Sequence, residues 1–317
     1  MPRYRIGSVL GIPIQLDLTF LLVLPLFAFV IATQVELWST TLNDIWAANL
    51  DPGLLSTSPM PWVLGIISAL GLFAGILFHE LGHSVVALRY GFPIESITLW
   101  LFGGIAQFTE MPEDWKQELQ IAVAGPIVSV LIGVVSYLAF LAVPTAHSLL
   151  LDATRFVLGY LAIMNVALAV FNMLPGFPMD GGRVLRALLA RNRSYAQATK
   201  IAAEVGKWFA ILLGLFGLFV TSNIFLIALA FFIYIGASSE AQQTVMRAAF
   251  EGVEVRDIMT PGDRVETVPE DMSVADLIEK MFRDRHTGYP VERDGEVVGL
   301  VTLEDARAVK EIGRAHV

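Results

Sequence analysis

The 317-residue sequence contains no cysteine and few charged residues. Without thiols it can form neither a disulfide framework nor a thiolate metal site, so any metal must be held by histidine and carboxylate side chains. Charged residues make up 16% of the chain, against about a quarter in ordinary soluble domains, while apolar residues make up 55%. The net charge of -9 lacks the basic excess that phosphate binding requires, so we expect no nucleic-acid partner. The composition therefore predicts a protein in contact with a lipid bilayer.

Long apolar runs fill the chain up to residue 248, and charged segments with short apolar runs follow. A helix needs about 20 apolar residues to cross a bilayer. Six candidate spans approach this length, and the last two are short and closely joined, as in a helical hairpin: 18–32, 61–88, 121–143, 153–173, 208–220 and 223–237. The N-terminus lacks a small-residue cleavage pattern, so we expect a retained first span rather than a signal peptide. We predict an α-helical polytopic membrane domain over 1–248 and a soluble α/β domain over 249–317.

The positions of lysine and arginine predict the orientation of these spans. The connections 33–60 and 144–152 contain neither residue. The basic residues instead lie before the first span, after the second, after the fourth and after the sixth: Arg3, Arg5, Arg89, Lys116, Arg183, Arg186, Arg191, Arg193, Lys200, Lys207, Arg247 and Arg256. With six spans these regions share one side, so we expect both termini to be cytoplasmic and the protein to lie in the cytoplasmic (inner) membrane.

Two segments depart from the helical pattern. Residues 11–17 alternate apolar and polar side chains beside a proline, which predicts a short strand. Residues 96–109 contain two β-prone arms around Gly103 and Gly104, which is typical of a hairpin, although an interfacial loop is an equal alternative. The open edge of such a hairpin could pair with an extended peptide, so both glycines are candidate substrate-binding residues.

The second apolar span ends in His79-Glu80-Leu81-Gly82-His83. Residues four apart share a helix face, so both imidazoles can bind one ion, and the Glu80 carboxylate lies beside them as a general base for water. The alternative is that these side chains merely end a core helix. Ionisable groups at membrane depth cost about 3 kcal/mol or more each, which makes that alternative unfavourable without a compensating cation. The pattern therefore predicts a metal site.

Zinc held by two histidines needs a third protein ligand and leaves a fourth position for water. Of the remaining histidines, His147 lies on the predicted far side, while His286 and His316 lie in the C-terminal domain. The third ligand should therefore be a carboxylate of the membrane domain. Asp17 and Asp180 are the main candidates.

Asp180 has the more favourable setting of the two. It lies in residues 172–183, where two prolines and three glycines break the end of the fourth span. Irregular backbone at membrane depth persists only where it is buried in protein or lines a wet cavity, which indicates a site rather than a plain surface turn. Asp17 stands at the start of the first span, where we expect it to be a helix N-cap.

These residues resemble the site-2 protease family, the membrane-embedded zinc peptidases of regulated intramembrane proteolysis. Residues 79–83 on one span and 172–182 closing a later one carry the resemblance, which extends from residue 1 to about 240 and includes the Gly103-Gly104 hairpin and the segment 124–126. It implies hydrolysis of peptide bonds within transmembrane segments of protein substrates. It also implies three zinc ligands, a general base and a residue that holds or polarises substrate: His79, His83 and Asp180, Glu80, and Asn172, respectively.

The residues after Gly252 show a β-α-β-β-α order that resembles a CBS domain, named for cystathionine β-synthase. Residues 299–305 match the ribose-contacting pattern of that family, so Thr302 and Asp305 are candidate contacts for a regulatory adenine nucleotide. The alternative is a module that only forms a homodimer or docks on the membrane domain. Such modules normally occur in pairs, and residues 311–317 resemble translated sequencing-adapter DNA. We therefore expect a truncated sequence that lacks a second module, in which His316 has no biological role.

Three functions are compatible with these patterns. The first is an active intramembrane protease regulated by its CBS module. The second is a catalytically silent scaffold that keeps a structural metal, which the intact Glu80 opposes because a structural site needs no base. The third is a CBS-regulated ion transporter, which would distribute its intramembrane polar groups along a path, whereas here they cluster.

Overall fold

The structure is a computed structural model that describes residues 3–100, 103–108, 112, 114–145, 148–250 and 252–314. The chain divides into two compact units, Met1–Ala249 and Phe250–Val317. His147, His316 and the last three residues of the adapter-like segment lie outside the described residues.

Long apolar helices make up most of the first unit. Five are long and apolar enough to cross a membrane: α4 (Met60–Arg89), α5 (Trp115–Ala142), α6 (Leu149–Asn172), α8 (Tyr195–Phe219) and α9 (Ile224–Phe250). Helices α1 (Phe20–Thr33) and α2 (Val35–Trp46) pass the same test together, although they are bent by 63°. The described residues thus contain five spans, or six if the bent pair counts as one, which confirms the predicted polytopic helical fold.

Two regions differ from the sequence-based expectation. The connection 33–60 contains helix α2 and the short helix α3 (Pro52–Leu55). One face of α2 is buried through Val35, Ser39 and Leu42. The polar residues between them interrupt the apolar pattern, so this helix does not form an apolar run in the sequence. Helices α8 and α9 have 25 and 27 residues, longer than the predicted runs, because each continues through polar residues beyond its apolar part.

A four-stranded sheet lies beside helix α4. Its strands are β1 (Arg3–Val9), β2 (Ile12–Asp17), β3 (Ile94–Trp100) and β4 (Gly103–Phe108), in the order β1-β2-β3-β4. Strands β2 and β3 are parallel, and the two outer pairs are antiparallel. The predicted strand and hairpin are therefore confirmed, while β1 was not predicted. Ile12, Ile14 and Ile97 pack with Leu81 of α4, which brings the sheet against the helix that carries the two histidines.

The second unit is a small α/β domain. It contains α10 (Val255–Ile258), β5 (Val268–Pro269), α11 (Val274–Asp284), β6 (Gly288–Arg293), β7 (Glu296–Thr302) and α12 (Leu303–Arg314). Strand β6 is central, parallel to β5 and antiparallel to β7. Val268, Leu277, Met281 and Tyr289 form its buried core. This order is the one expected from the sequence.

Candidate metal centre

Three side chains predicted to share a metal converge in the first unit. Nε2 of His79 lies 3.0 Å from Oδ2 of Asp180, Nε2 of His83 lies 3.1 Å from the same oxygen, and the two Nε2 atoms are 3.2 Å apart. All three residues are buried, with exposed fractions of 3%, 3% and 8%. We call His79, His83 and Asp180 the metal-site residues. The structure thus brings together residues from α4 and from helix α7 (Asp180–Ala190) that are about a hundred positions apart in sequence.

The distances between these atoms fit one tetrahedral zinc ion. Zinc binds imidazole nitrogen at about 2.0–2.1 Å and carboxylate oxygen at about 2.0–2.2 Å, so neighbouring ligand atoms of a tetrahedral site lie about 3.3 Å apart. The observed separations of 3.0–3.2 Å lie close to this value.

The chemistry of the donors also requires a proton or a metal ion between them. Nδ1 of His83 lies 2.7 Å from the backbone carbonyl oxygen of Ile121. A carbonyl oxygen can only accept, so Nδ1 carries the proton and the Nε2 of a neutral His83 presents a lone pair. That lone pair faces the carboxylate of Asp180 and the Nε2 of His79. Two electron-rich groups at this distance repel unless a proton or metal ion lies between them.

Asp180 is positioned by the broken segment that follows α6. Residues 173–179 are not helical, and Phe177 and Met179 bury their side chains there, at 2% and 4% exposure. Helix α7 (Asp180–Ala190) then begins at Asp180 itself. The carboxylate therefore lies at the N-terminus of a helix, where the helix dipole favours a negative charge. The irregular segment is only partly buried, and Pro178 and Met179 line a cavity, which agrees with the expectation that such backbone is buried in protein or lines a cavity.

Helix α5 passes close to both imidazoles at Gly125. A Cβ atom at this position would lie 2.2 Å from Nε2 of His83 and 2.7 Å from Nε2 of His79. Any residue other than glycine would therefore occupy the space of the two imidazoles. In the sequence Gly125 lies within the family-like segment 124–126, and no local pattern indicates this role, because the contact joins two distant parts of the chain.

A cavity of about 220 Å³ opens beside the metal-site residues. Its other polar lining comes from Glu80, Asn172 and Arg183, and apolar or small residues complete it: Trp100, Gly104, Ala106, Phe171, Pro178, Met179, Phe232 and Ile233. Glu80 is half-buried, so its carboxylate lies at a boundary between protein and open space. The combination provides room for water and a peptide backbone next to the metal-site residues.

Strand β4 forms one wall of this cavity. A Cβ atom at Gly104 would lie 2.5 Å from Cγ of Glu80, so β4 can approach the glutamate only because this residue is glycine. Gly103 begins the strand with a φ of 125°, and of the two predicted glycines Gly104 is the one in the cavity lining. Asn172, the last residue of α6, also faces the cavity, and its Nδ2 donates to the carbonyl oxygen of Leu168 at 3.0 Å.

Asp17, the rejected candidate for the third ligand, ends strand β2. Its Oδ1 accepts hydrogen bonds from the backbone N–H and the hydroxyl of Thr19, at 2.9 and 2.8 Å. These two hydrogen bonds lower the pKa of Asp17 below its ordinary value. Thr19, not Asp17, is the N-cap residue of α1, so the N-cap prediction was wrong by two residues.

A buried ion network that the sequence did not indicate holds helix α7. Arg186 is 1% exposed, and its guanidinium donates to Oε1 of Glu118 on α5 and to Oε1 of Glu240 on α9, each at 2.6 Å. It also lies over the rings of Phe177 and Tyr195, 4.9 and 4.8 Å from their centres. The helix that begins with Asp180 is therefore tied to two membrane helices. From the sequence, Arg186 was one of the basic residues that predict the orientation of the spans, and nothing in its neighbourhood indicated a buried ion pair.

The two nucleotide candidates of the second unit form a local cap. The backbone N–H and the hydroxyl of Thr302 donate to Oδ2 of Asp305 at 2.8 and 2.7 Å, and the N–H of Asp305 donates to the Thr302 hydroxyl at 3.3 Å. The Thr302 hydroxyl and then its backbone N–H lower the pKa of Asp305. The pair thus caps the N-terminus of helix α12, and the Asp305 side chain is exposed in the first turn of this helix.

Comparisons with known proteins place both units in families. Residues 67–213 match the model of peptidase family M50, and residues 255–310 match the CBS domain. A zinc metalloprotease of Methanocaldococcus jannaschii is 36% identical over 300 residues, which cover 94% of this chain and 78% of that protein. Rip3 of Mycobacterium tuberculosis is 34% identical over 315 residues, covering 96% and 75% of the two chains.

A solved structure agrees with these sequence matches. The site-2 protease from Methanocaldococcus jannaschii superimposes with a TM-score of 0.50 at 35% identity, covering 76% of this chain and 95% of that one.

Proposed function

This chain belongs to the site-2 protease family of membrane zinc metalloproteases and carries a CBS domain, and we propose that it hydrolyses peptide bonds within transmembrane segments of other membrane proteins. In this proposal His79, His83 and Asp180 hold one zinc ion, and Glu80 is the general base. The observation that carries it is the convergence of three buried ligand atoms within 4.8 Å of one another, beside a cavity that also contains Glu80.

The protein side chains divide the chemistry between them. When bound, zinc would polarise the scissile carbonyl group and lower the pKa of water towards ~7. The Glu80 carboxylate takes a proton from the attacking water and later passes it to the leaving amine. Its half-buried position in the cavity wall suits this exchange, because one side faces open space while the helix backbone holds it next to His79.

The substrate must present an extended backbone to the metal-site residues. In a transmembrane helix each carbonyl oxygen is already paired within the helix, so the segment has to unwind locally before cleavage. Strand β4 is paired with β3 on one side, and we propose that its other edge binds the unwound segment as an added strand. The absence of a side chain at Gly103 and Gly104 would allow that close approach.

Asn172 supports the same orientation of substrate. One N–H of its amide donates to Leu168, and an amide NH₂ group has a second proton to donate. We propose that this second proton is donated to the carbonyl oxygen of the substrate and helps to stabilise the charge that develops there. Arginine and lysine positions support an orientation with both termini cytoplasmic, in the cytoplasmic membrane.

The CBS domain is proposed to regulate the protease. Thr302 and Asp305 would bind the ribose of an adenine nucleotide, and the exposed Asp305 carboxylate is compatible with such a contact. Homodimer formation through CBS domains is a further part of the proposal. Isothermal titration of the purified protein with adenine nucleotides, with Asp305→Asn as the comparison, would test nucleotide binding. Sedimentation in detergent would test homodimer formation.

Proteolysis by wild type and by Glu80→Gln tests the main proposal. Both proteins are purified, their zinc content is measured, and each is incubated with a single-span membrane protein as substrate. We expect wild type to cleave and Glu80→Gln to retain zinc without cleaving, because glutamine keeps the shape of the side chain but cannot accept a proton. Equal cleavage by both would remove Glu80 from the mechanism. Zinc binding without cleavage in either would favour the structural-metal alternative.

A further inference from the structure

One stripe of helix α5 faces both histidines of the metal site. Ile121, Gly125 and Ser129 are spaced by four residues, as are His79 and His83 on α4. The carbonyl oxygen of Ile121 pairs with Nδ1 of His83 at 2.7 Å, and Oγ of Ser129 pairs with Nδ1 of His79 at 2.9 Å. Gly125 lies between them, against the two Nε2 atoms. The second nitrogen of each imidazole therefore has its own partner on a single neighbouring helix.

The two partners differ in chemistry. A backbone carbonyl can only accept, so it keeps the proton of His83 on Nδ1 and leaves Nε2 with its lone pair. A serine hydroxyl can accept or donate, and unlike a backbone carbonyl it can be removed by mutation. Ser129 is fully buried, so water has no access to replace its hydroxyl beside His79.

We propose that Ser129 is a positioning residue for the metal ligand His79. Its Oγ accepts the Nδ1 proton, which fixes the plane of the ring and keeps the lone pair of Nε2 directed towards the position between His79, His83 and Asp180. This inference rests on the zinc site proposed above. In this proposal Ser129 contacts His79 but neither the substrate nor the metal.

The loss of this hydroxyl has a specific consequence. Without Ser129 the buried Nδ1–H of His79 has no partner, and an unpaired buried donor is unfavourable. The ring can relieve this by moving its proton to Nε2, which lies 3.0 Å from Oδ2 of Asp180 and can donate to it. In that tautomer Nε2 no longer has a lone pair for a metal ion. Loss of such a partner typically weakens metal binding about 10–100-fold.

Zinc affinity of the full chain in detergent tests the inference, with zinc alone as the probe. A chromophoric chelator competes for the metal in wild type, Ser129→Ala, Ser129→Thr and Ser136→Ala. Ser136 is a matched control, because it lies on the same helix and is 8% exposed. The thermal unfolding of each zinc-free protein is recorded in parallel, which separates zinc affinity from general loss of packing.

We expect about 10–100-fold weaker zinc binding in Ser129→Ala, recovery in Ser129→Thr because the hydroxyl returns, and wild-type affinity in Ser136→Ala. Wild-type affinity in folded Ser129→Ala would overturn the proposal. So would an equal loss in Ser136→Ala, which would indicate packing alone.

A second measurement does not depend on the folding of a variant. In zinc-loaded wild type with ¹⁵N-labelled histidine, NMR should detect a proton on Nδ1 of His79, slow to exchange with water. An Nδ1 without a proton would contradict the role of Ser129. These outcomes are distinct from failure of the proposed function, since a wild type that binds zinc by this arrangement but cleaves nothing would refute only the proteolysis. A wild type without zinc affinity would refute both.

Discussion

Substitution of Gly125 by alanine should abolish zinc binding while the helices remain formed. The new Cβ atom would lie 2.2 Å from Nε2 of His83, whereas ordinary van der Waals contact begins at 3.4 Å. The imidazole or the helix must therefore move by about 1.2 Å at this contact. Metal–ligand distances tolerate deviations of only about 0.2 Å, so the three ligand atoms can no longer meet at one ion.

The control for this substitution lies on the same helix. A Cβ atom at Gly133 would lie 2.8 Å from the side chain of Val166 on α6, so Gly133→Ala also introduces a clash on this helix, away from the metal-site residues and less severe than the one at Gly125. We expect Gly133→Ala to unfold at a lower temperature but to retain zinc. Gly125→Ala should contain almost no zinc after purification and should not recover it on dialysis against zinc.

The assay is zinc content per chain, measured by elemental analysis, together with circular dichroism to establish that the helices are intact. A folded Gly125→Ala protein with one tightly held zinc ion would refute the reasoning. It would mean that the ligands meet elsewhere or that the helices adjust without cost.

Three further outcomes follow from the described contacts. Gly104→Val should lower proteolysis about 100-fold while zinc content stays normal, because its Cβ displaces Glu80 by roughly an ångström; unchanged turnover would contradict the role of β4 as a cavity wall. Arg186→Met should destabilise the membrane domain by about 3–5 kcal/mol in denaturation experiments, since it leaves the buried glutamate of α5 unpaired; a wild-type midpoint would count against the network. In the second unit, a hydrogen bond from Lys280 lowers the pKa of Asp284 to about 2. Because the unfolded value is about 3.9, this stabilisation is complete above that pH and is lost as pH falls towards 2. The protection factors of the α11 amides, which are corrected for the intrinsic pH dependence of exchange, should therefore decrease between pH 4 and pH 2, and constant protection factors would exclude the pair.

Local patterns were sufficient to predict the centre of the site. His79 and His83 are four residues apart on one helix, so their convergence follows from helical geometry alone. The third candidate ligand, Asp180, was identified by elimination of the other histidines and by a broken span end, and the structure brings it to the same point. Its role as a ligand stays a prediction until zinc binding is measured.

Residues that support the site could not be predicted in the same way. Gly125 and Ser129 lie against His79 and His83 across two helices, and Arg186 joins helices that are far apart in sequence. No periodicity or composition marks such residues, since each resembles an ordinary member of its own segment. Helix α2 was missed for a different reason, because only one of its faces is buried and its mean hydropathy is low.

The position of the cleaved bond tests the central claim most directly. The wild-type protein and a single-span substrate are reconstituted in liposomes, and the products are identified by mass spectrometry with and without prior removal of zinc. We predict a cut inside the apolar segment of the substrate, its loss when zinc is removed, and its return when zinc is added back. A cut confined to the soluble flanks of the substrate, or cleavage that continues without zinc, would contradict the account.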